Sequence, residues 1–318
     1  MPITVVGSIA YDAVKTPFGE RERMLGGAAV HFALAASFFE EVRVVGPVGE
    51  DFGEEELDVM RRRGVDVSDI ERIDGGSTFF WRGEYGWDLN SRETLDTQLG
   101  VFAGFQPKLS ESSRSSDVLF LANIQPDLQL EVRAQLPSAR FVALDSMNLW
   151  IDIARDSLVS AIAGVDCLVL NDAELRQLTG KPSLISAARE ILSWQPSSEE
   201  RRGPSVIVAK QGEYGAALIT RDGFFALPAY PLETVIDPTG AGDTFAGGFV
   251  GYIAAHPESG DAGRPSDELL RQAMAYATVL ASFNVEEFGT ERVERLTREE
   301  IAARLTELRA ITQFSHVP

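Results

Sequence analysis

The chain has 318 residues, of which 48 are Asp or Glu and 29 are Lys or Arg, so its formal net charge is −19. A protein that binds nucleic acid by neutralising phosphates needs a basic surface, and the densest basic cluster here is the short run of Arg61, Arg62 and Arg63. Hydrophobic residues make up 44% of the chain and charged residues 24%. This composition excludes a disordered chain, a collagen and a coiled coil, and it predicts a globular protein with no nucleic-acid partner.

Membrane and secretory signals are missing from the sequence. The longest apolar stretches, such as residues 28–39, are too short to cross a bilayer, and the chain opens into an apolar run without a basic leader. The single cysteine, Cys167, has no partner for an intrachain disulfide and lies in an apolar run, which predicts a buried structural thiol. We therefore expect a cytoplasmic protein with no membrane partner.

Short apolar runs that are typical of buried strands alternate with amphipathic helical segments such as 51–63 and 184–194. The predicted strands are residues 3–6, 42–45, 118–121, 141–144, 168–170 and 206–209. This alternation predicts an α/β fold with a mostly parallel sheet and helices on both faces. Ligands of such sheets bind at the carboxyl ends of the strands, so the functional residues are expected there.

Two segments interrupt the alternation, and we expect them to form a small β-rich lid on a single domain that spans residues 1–318. They are approximately residues 12–23 and 76–104. The second contains Phe79, Trp81, Tyr85 and Trp87 at even spacings, which predicts an aromatic face on extended chain. That face either packs on the main domain, packs on a second subunit in a homodimer through the lid, or covers a substrate.

The last third of the chain is predicted to be mainly helical. Residues 266–283 form one helix, and Thr297 with Glu300 has the capping-box spacing before an amphipathic final helix. Residues 221–223 are a hairpin signal, so antiparallel strands are expected at this edge of the sheet. Surface loops are predicted at residues 110–116 and 196–204.

The most informative segment is residues 237–248. The small residues Gly240, Ala241 and Gly242 allow a tight turn, and an apolar helix follows from about Asp243. The N–H groups at such a helix start can hold an anion, including a phosphoryl group in transfer. Asp243 is then either a helix cap worth about 1 kcal/mol or a base that accepts the proton of an attacking hydroxyl.

This segment resembles the C-terminal signature of the ribokinase, or PfkB, family of carbohydrate kinases. Four further motifs of that family follow the same order along the chain, at residues 26–27, 46–53, 171–174 and 210–215. The resemblance implies a ribokinase-like fold that transfers the γ-phosphoryl group of ATP to a hydroxyl of a sugar or related polyol. The sequence has no Walker A motif, so a P-loop mechanism is not indicated.

The resemblance also implies roles for single residues. Asp243 is similar to the catalytic base of the family, and the N–H groups of Gly240, Ala241 and Gly242 are similar to its anion hole. Asp237 and Thr239 match backbone positions that line a K⁺ or other monovalent-ion site in many members.

On the nucleotide side, Asn171 and Glu174 match positions that organise Mg²⁺ through water, as suits hard oxygen ligands. Their alternative role is a helix cap and a first-turn carboxylate. The residues that match the ATP-binding positions are Lys210, Gly212, Gly215 and, for the adenine pocket, Asn284.

At the acceptor end, Asp12 matches the family aspartate that binds sugar hydroxyls, next to Gly26 and Gly27. His31 stands where an Asn is usual and Gln125 where ribokinase has a Glu, and ribokinase has an Asn in place of Ala10. These differences argue against ribose itself. His31 is alternatively a core histidine with a satisfied hydrogen bond. Asp145 with Asn148 is a second polar pair at a strand end, with a helix cap as the alternative.

Four other functions are weighed against the polyol kinase. The aromatic side chains of the lid suit a nucleoside acceptor. A phosphosugar acceptor needs cations, for which only Arg82 and Arg92 are nearby. A sugar-binding protein that has lost catalysis is disfavoured by the intact Asp243. A dinucleotide-dependent dehydrogenase needs Gly-x-Gly-x-x-Gly after the first strand, where this chain has residues 7–10 without that pattern.

Overall fold

The computed structural model describes residues 1–194, 203–257 and 265–313. Up to residue 98 the elements are β1 (Ile3–Val6), β2 (Ala10–Thr16), β3 (Gly19–Gly26), α1 (Ala28–Ala36), β4 (Val42–Gly49), α2 (Glu54–Arg62), β5 (Asp66–Ile73), β6 (Phe79–Tyr85) and β7 (Arg92–Gln98). The middle of the chain contains α3 (Glu111–Arg114), β8 (Val118–Leu121), α4 (Pro126–Gln135), β9 (Phe141–Asp145), α5 (Asn148–Ile153), α6 (Arg155–Ala163), β10 (Cys167–Asn171), α7 (Asp172–Thr179), α8 (Leu184–Ile191) and β11 (Val206–Lys210). The remaining elements are β12 (Ala216–Thr220), β13 (Phe224–Leu227), α9 (Ala241–Ala255), α10 (Asp267–Asn284), α11 (Glu291–Glu294) and α12 (Arg298–Thr312).

The main sheet has nine strands within the described ranges, in the order β13-β12-β11-β10-β9-β8-β1-β4-β5. Neighbouring strands from β11 to β5 pair in parallel, and β12 and β13 extend the sheet antiparallel at one edge. Side chains of the central strands alternate between two apolar cores. Val5 and Phe120 pack on the side of α1, α9 and α10, whereas Val6 and Leu121 pack on the side of α4, α6, α7 and α8. Both faces are therefore covered, which explains the continuous apolar runs and confirms the predicted fold class.

The small sheet consists of β3, β2, β6 and β7 in that order. Strands β2 and β6 pair in parallel, and the two outer pairs are antiparallel. The two segments that interrupt the alternation in the sequence thus meet in one sheet. Its edge strand β7 is exposed along its whole length.

The predicted helix starts in the C-terminal third are confirmed. Ser266 caps α10 by accepting a hydrogen bond from the Leu269 N–H at 3.2 Å. Thr297 and Glu300 form the predicted capping box at the start of α12. The hairpin signal at residues 221–223 lies between the antiparallel strands β12 and β13, as expected.

Some local predictions were wrong or incomplete. Trp87 does not continue the aromatic face, because β6 ends at Tyr85 and the chain turns back with the Gly86 N–H bonded to the Ser91 carbonyl; Trp87 is 91% exposed. The predicted loop at residues 110–116 contains the short helix α3, capped by Ser110. The predicted loop at residues 196–204 lies mostly outside the described residues.

Cys167 is fully buried in β10, as predicted. Among the described residues, no helix combines the length and apolar character that crossing a membrane requires.

Candidate active site

The glycine turn, residues 240–242, starts helix α9 at the carboxyl edge of the main sheet. Gly240 is the residue before the helix, and its φ of 74° lies in the left-handed region that glycine adopts without strain. The Ala241 N–H donates to the Pro238 carbonyl at 3.2 Å. The N–H groups of Gly240 and Gly242 have no acceptor within the described part of the chain, so they remain available for an anion.

Asp243 lies in the first turn of α9 and is not its cap, since Gly240 holds that position. Burial raises the pKa of this carboxyl group, the charge of Glu174 raises it further, and Lys210 and Arg92 lower it. The side chain of Lys210 passes directly under the glycine turn: a Cβ atom on Gly242 would lie 3.0 Å from the Lys210 Nζ. Asp243 is therefore a carboxyl group with a raised pKa beside free N–H groups and one cation.

Lys210 joins side chains from two strand ends and two helix starts into one charged cluster. It ends β11, and its Nζ lies 3.2 Å from the Asp145 Oδ2 at the end of β9. Burial lowers the pKa of Lys210, but the carboxylates of Asp145, Glu174 and Asp243 outweigh it and raise the pKa overall. Burial raises the pKa of Asp145, an effect that Lys210 partly offsets. Asn148, the predicted partner of Asp145, is exposed at the start of α5 and does not join this cluster.

Asn171 and Glu174 form a capping box at the start of α7. The Asn171 Oδ1 accepts from the Glu174 N–H at 2.7 Å, and the Glu174 Oε2 accepts from the Asn171 N–H at 2.9 Å. The alternative role as a helix cap is thus present in the structure. Burial raises the pKa of Glu174 to about 7, with Lys210 lowering it.

The residues at this edge fit a magnesium ion that is bound through water. Among the described residues, no group of three or more His, Cys, Asp or Glu side chains comes together as a metal site. Glu174 uses only Oε2 in the capping box, so Oε1 is free to bind a hydrated ion near the phosphates.

Asp237 and Thr239 fix the backbone that leads into the glycine turn. Asp237 is fully buried, and its carboxylate accepts from the Thr239 N–H at 2.9 Å and from the Gly289 N–H at 3.0 Å. The Thr239 carbonyl accepts from the Asn284 Nδ2 at 2.8 Å. A monovalent ion at these positions stays a prediction.

Asn284 and His31 contact the glycine turn and the residue before it. The Asn284 Oδ1 accepts from the Thr244 Oγ1 at 2.9 Å and faces the His31 Nδ1 at 3.2 Å. Because the amide N–H of Asn284 faces the Thr239 carbonyl, its oxygen faces His31, and the His31 proton must be on Nδ1. Burial lowers the pKa of His31, while the charge of Asp237 raises it.

This network changes the interpretation of both residues. Asn284 is 0% exposed and therefore has no surface with which to contact adenine, contrary to the sequence prediction. His31 is 2% exposed, and its Nε2 is buried without a hydrogen-bond partner in the described chain. A Cβ atom on Gly240 would lie 2.4 Å from that Nε2, so only glycine lets the His31 ring lie against the turn. The interpretation of His31 as a buried core residue fits this geometry, and a substrate contact stays a prediction.

Asp12 lies in β2, within electrostatic range of Asp237 and Asp243. It packs so closely on β3 that a Cβ atom on Gly26 would lie 2.0 Å from its Oδ2, and the Gly27 N–H bonds to its carboxylate. Burial raises the pKa of Asp12 to about 7, and the charges of Asp237 and Asp243 add to the shift. The carboxyl group of Asp12 is thus electrostatically coupled to those of Asp237 and Asp243.

The remaining predicted binding residues are Gln125, Gly212 and Gly215. Gln125 is exposed at the start of α4, with its Nε2 3.3 Å from the Asp127 Oδ2. Gly212 and Gly215 have φ values of 56° and 99° in the short turn after β11, and a Cβ atom on Gly215 would lie 2.0 Å from the Leu227 carbonyl oxygen. These two glycines are required by backbone conformation, and their contact with a nucleotide stays a prediction.

The β6–β7 hairpin supplies contacts that the sequence did not predict. The Thr239 Oγ1 lies 3.2 Å from the Tyr85 hydroxyl, and the Asn90 Nδ2 donates to the Glu213 Oε1 at 3.0 Å. The hairpin therefore touches both the segment before the glycine turn and the turn after β11. The even spacing of aromatic residues indicated Tyr85 as a face-forming residue but gave no information on its partner.

Comparisons with known proteins identify the family of the chain. The profile of the pfkB family carbohydrate kinases matches residues 3–295. The chain is 28% identical over 284 residues to a cytidine kinase of Thermococcus kodakarensis, which covers 87% of this chain and 95% of that protein. It is 34% identical over 279 residues to a deoxyribokinase of Salmonella typhi, covering 84% and 83% of the two chains.

Among solved structures, a nucleoside kinase of Burkholderia thailandensis in complex with ADP-inosine has the same fold. Its TM-score is 0.75 at 20% identity, and the match covers 97% of this chain and 96% of that one. With the family profile spanning nearly the whole sequence, the chain belongs to the pfkB family of carbohydrate kinases.

Proposed function

We propose that the protein is an ATP-dependent kinase that phosphorylates a hydroxyl group of a neutral sugar, polyol or nucleoside. The observation that carries this proposal is the juxtaposition of a partly buried Asp243 with the free N–H groups of the glycine turn. Such a turn binds the transferring phosphoryl group, and a carboxylate beside it is positioned to accept a proton.

In this reaction Asp243 accepts the proton of the acceptor hydroxyl while the hydroxyl oxygen forms a bond to the γ-phosphorus of ATP. The bond from that phosphorus to the bridging oxygen breaks, and ADP leaves with the electron pair. Lys210 and the N–H groups of Gly240 and Gly242 stabilise the charge on the phosphoryl oxygens. Magnesium, held through water by Asn171 and Glu174, supplies further neutralisation of phosphate charge when bound.

The acceptor is oriented by Asp12, whose carboxylate suits a hydroxyl donor. A nucleoside acceptor is favoured by one feature of the small sheet: Asp12 and Trp81 are register partners in β2 and β6, so their side chains share a face. The partly exposed Trp81 indole beside the hydroxyl-binding carboxylate suits stacking on a base. The names of the cytidine kinase and nucleoside kinase relatives agree with this alternative.

The deciding experiment measures ADP release with a panel of sugars, cyclitols and nucleosides, with and without K⁺. Turnover with at least one neutral acceptor is expected. Dependence on K⁺ supports an ion site at the Asp237 and Thr239 backbone. Activity restricted to nucleosides selects the second acceptor class, and ligand binding without turnover for every compound indicates a silent binding protein.

The role of Asp243 is tested separately with Asp243→Asn, which keeps the size of the side chain and removes the base. We expect turnover to be abolished with ATP binding retained, and the exposed Asp222→Asn serves as the matched control. A loss of less than about tenfold, equivalent to about 1.4 kcal/mol, refutes the assignment of the base.

We also propose a homodimer through the small sheet, because β7 is an edge strand of that sheet and is exposed along its whole length. Sedimentation of the purified protein across a concentration series tests this, and a monomer at all concentrations refutes it.

A further inference from the structure

Arg92 is a cation in the β6–β7 hairpin. From the sequence it was a candidate only for binding a charged acceptor. It begins β7 and is the register partner of Tyr85, the last residue of β6. Register partners in an antiparallel pair point to the same face of the sheet. Because the Tyr85 hydroxyl meets Thr239, the Arg92 side chain is on the face that looks towards the glycine turn.

Two contacts bracket the position of Arg92 over the cleft. On one side, Tyr85 contacts Thr239, the residue before the glycine turn. On the other, Asn90 bonds to Glu213 in the turn after β11 and approaches Gly212. Arg92 follows Asn90 by two residues and faces Tyr85, so it lies between the two elements that are expected to hold the phosphates of ATP.

The tip of the hairpin has hydrogen bonds of its own. The Asp88 carboxylate accepts from the N–H groups of Asn90 and Ser91 and from the Ser91 hydroxyl, at 3.0 to 3.1 Å. The Arg92 guanidinium lies against an aromatic ring, with its Cζ 5.2 Å from the centroid of the Trp81 ring. A cation on such a support loses little conformational entropy when it binds an anion.

The charges around Arg92 also favour the binding of a phosphate group by this residue. No carboxylate in the described ranges forms a salt bridge with it, whereas Arg82 of the same sheet pairs with Glu20 at 3.8 Å. Burial raises the pKa of Asp12, Asp243 and Glu174, and the charge of Arg92 is among the influences that lower each of them. These three carboxylates lie at the acceptor end, the centre and the nucleotide side of the cleft, so Arg92 acts on all three from a position between them.

We propose that Arg92 is a catalytic residue that donates hydrogen bonds to the oxygens of the phosphoryl group in transfer. This inference rests on the proposed function. The guanidinium supplies a positive charge from the side opposite the glycine turn, and its planar fork matches two phosphoryl oxygens. Lys210 lies on the other side, next to the glycine turn, where the Asp145 carboxylate, 3.2 Å from its ammonium group, partly neutralises its charge.

The test compares Arg92→Gln and Arg92→Lys with Arg82→Gln as the matched control, using a neutral acceptor that the wild-type protein phosphorylates. We expect Arg92→Gln to lower kcat by about 10³-fold, as for arginines that contact a transferring phosphoryl group. The KM for the acceptor is expected to stay within about threefold. Arg92→Lys keeps the charge without the planar fork and is expected to lose at least about tenfold in kcat. Arg82→Gln is expected to change kcat less than about twofold, because Arg82 forms an exposed ion pair.

A binding measurement gives a second readout that needs no turnover. Calorimetry compares the affinity for ADP with that for a non-hydrolysable ATP analogue, each with Mg²⁺. Arg92→Gln is expected to weaken binding of the analogue about tenfold and to leave ADP binding unchanged, since only the analogue carries the γ-phosphate. It also reports whether the variant is folded.

The inference is overturned if Arg92→Gln retains the wild-type kcat and the wild-type ratio of the two affinities. It is also overturned if the only effect is a raised KM for a charged acceptor, because Arg92 then binds the acceptor and not the phosphoryl group. If the wild-type protein phosphorylates no acceptor, the proposed function fails, and the two affinities still decide whether Arg92 contacts the γ-phosphate.

Discussion

Replacing Asp12 by Asn is expected to stabilise the folded protein at neutral and alkaline pH. Asp12 is 6% exposed and lies near Asp237 and Asp243. Burial, with the charges of these two residues, raises the pKa of Asp12 from 3.8 to about 7. A shift of about three units corresponds to about 4 kcal/mol as an upper magnitude, since each unit is worth about 1.4 kcal/mol.

The sign of the effect follows from proton binding. Between pH 4 and pH 7 the folded protein holds a proton on Asp12 that the unfolded chain releases, so the folding stability falls as the pH rises through this range. The destabilisation is absent below the unfolded pKa and complete above the folded one. The Asn side chain has no charge, and its oxygen can still accept the hydrogen bond from the Gly27 N–H.

Urea unfolding of the wild-type protein and Asp12→Asn between pH 5 and pH 9 measures this difference. The advantage of the variant is expected to grow from pH 5 to about pH 7 and then to level off. Asp74→Asn, a change at an exposed turn residue, is the matched control and is expected to show no such growth. A difference between variant and wild type that is independent of pH refutes the reasoning. The same variant is expected to lose acceptor binding, because the carboxylate is the proposed hydroxyl acceptor.

Three further predictions concern the support of the site. Gly247→Ala is expected to destabilise the protein by about 1 to 3 kcal/mol in thermal unfolding, because the new Cβ would lie 2.3 Å from the Phe32 carbonyl oxygen; Gly104→Ala, with nothing within 4 Å, is the control. In ¹⁵N NMR spectra, His31 is expected to stay neutral with its proton on Nδ1 down to a pH below its ordinary pKa of 6.5, because burial lowers its pKa. Tyr85→Phe removes the contact with Thr239 and is expected to speed amide hydrogen exchange at residues 86–91, corresponding to about 1 kcal/mol.

Each of these has an outcome that contradicts it. Equal melting temperatures for Gly247→Ala and Gly104→Ala would mean that α1 and α9 can separate without cost. A His31 proton on Nε2 would reverse the orientation assigned to the Asn284 amide. Unchanged exchange in Tyr85→Phe would show that the hairpin is held by contacts other than the Tyr85 hydroxyl.

The sequence predicted those parts of the fold and site that depend on local backbone requirements. The strands of the main sheet are continuous apolar runs, and the glycine turn requires small residues whatever surrounds it. Strand β5 was missed because it lies at the edge of the sheet, where its half-buried and exposed residues do not alternate. The paired contacts of Tyr85 with Thr239 and of Asn90 with Glu213 depend on how the hairpin folds back, and residues so far apart carry no periodic signal.

Asn284 shows the limit of transferring a position from a motif. Its place near the end of α10 suggested an adenine contact, whereas its amide turns inward to Thr239, Thr244 and His31. A side chain at this position of the helix can point outward or inward. The Asn284 side chain points inward because its amide donates to the Thr239 carbonyl, and because Gly240 leaves space for the His31 ring that faces its oxygen. Neither is visible without the fold.

The charge of −19 gains a more specific meaning at this site. Asp12, Asp145, Glu174 and Asp243 all have raised pKa values, because burial and mutual repulsion disfavour their charged forms. The ligand-free cleft is therefore electrostatically unfavourable, with Lys210 and the hairpin arginine as its nearby cations. In the proposed reaction a substrate hydroxyl supplies a proton donor to these carboxylates and magnesium supplies positive charge, so binding is expected to relieve the repulsion among them. It follows that the acidity of the site opposes an anionic acceptor and favours a neutral one. Ligands are also expected to stabilise the protein most strongly above pH 7, where the repulsion between these carboxylates is complete.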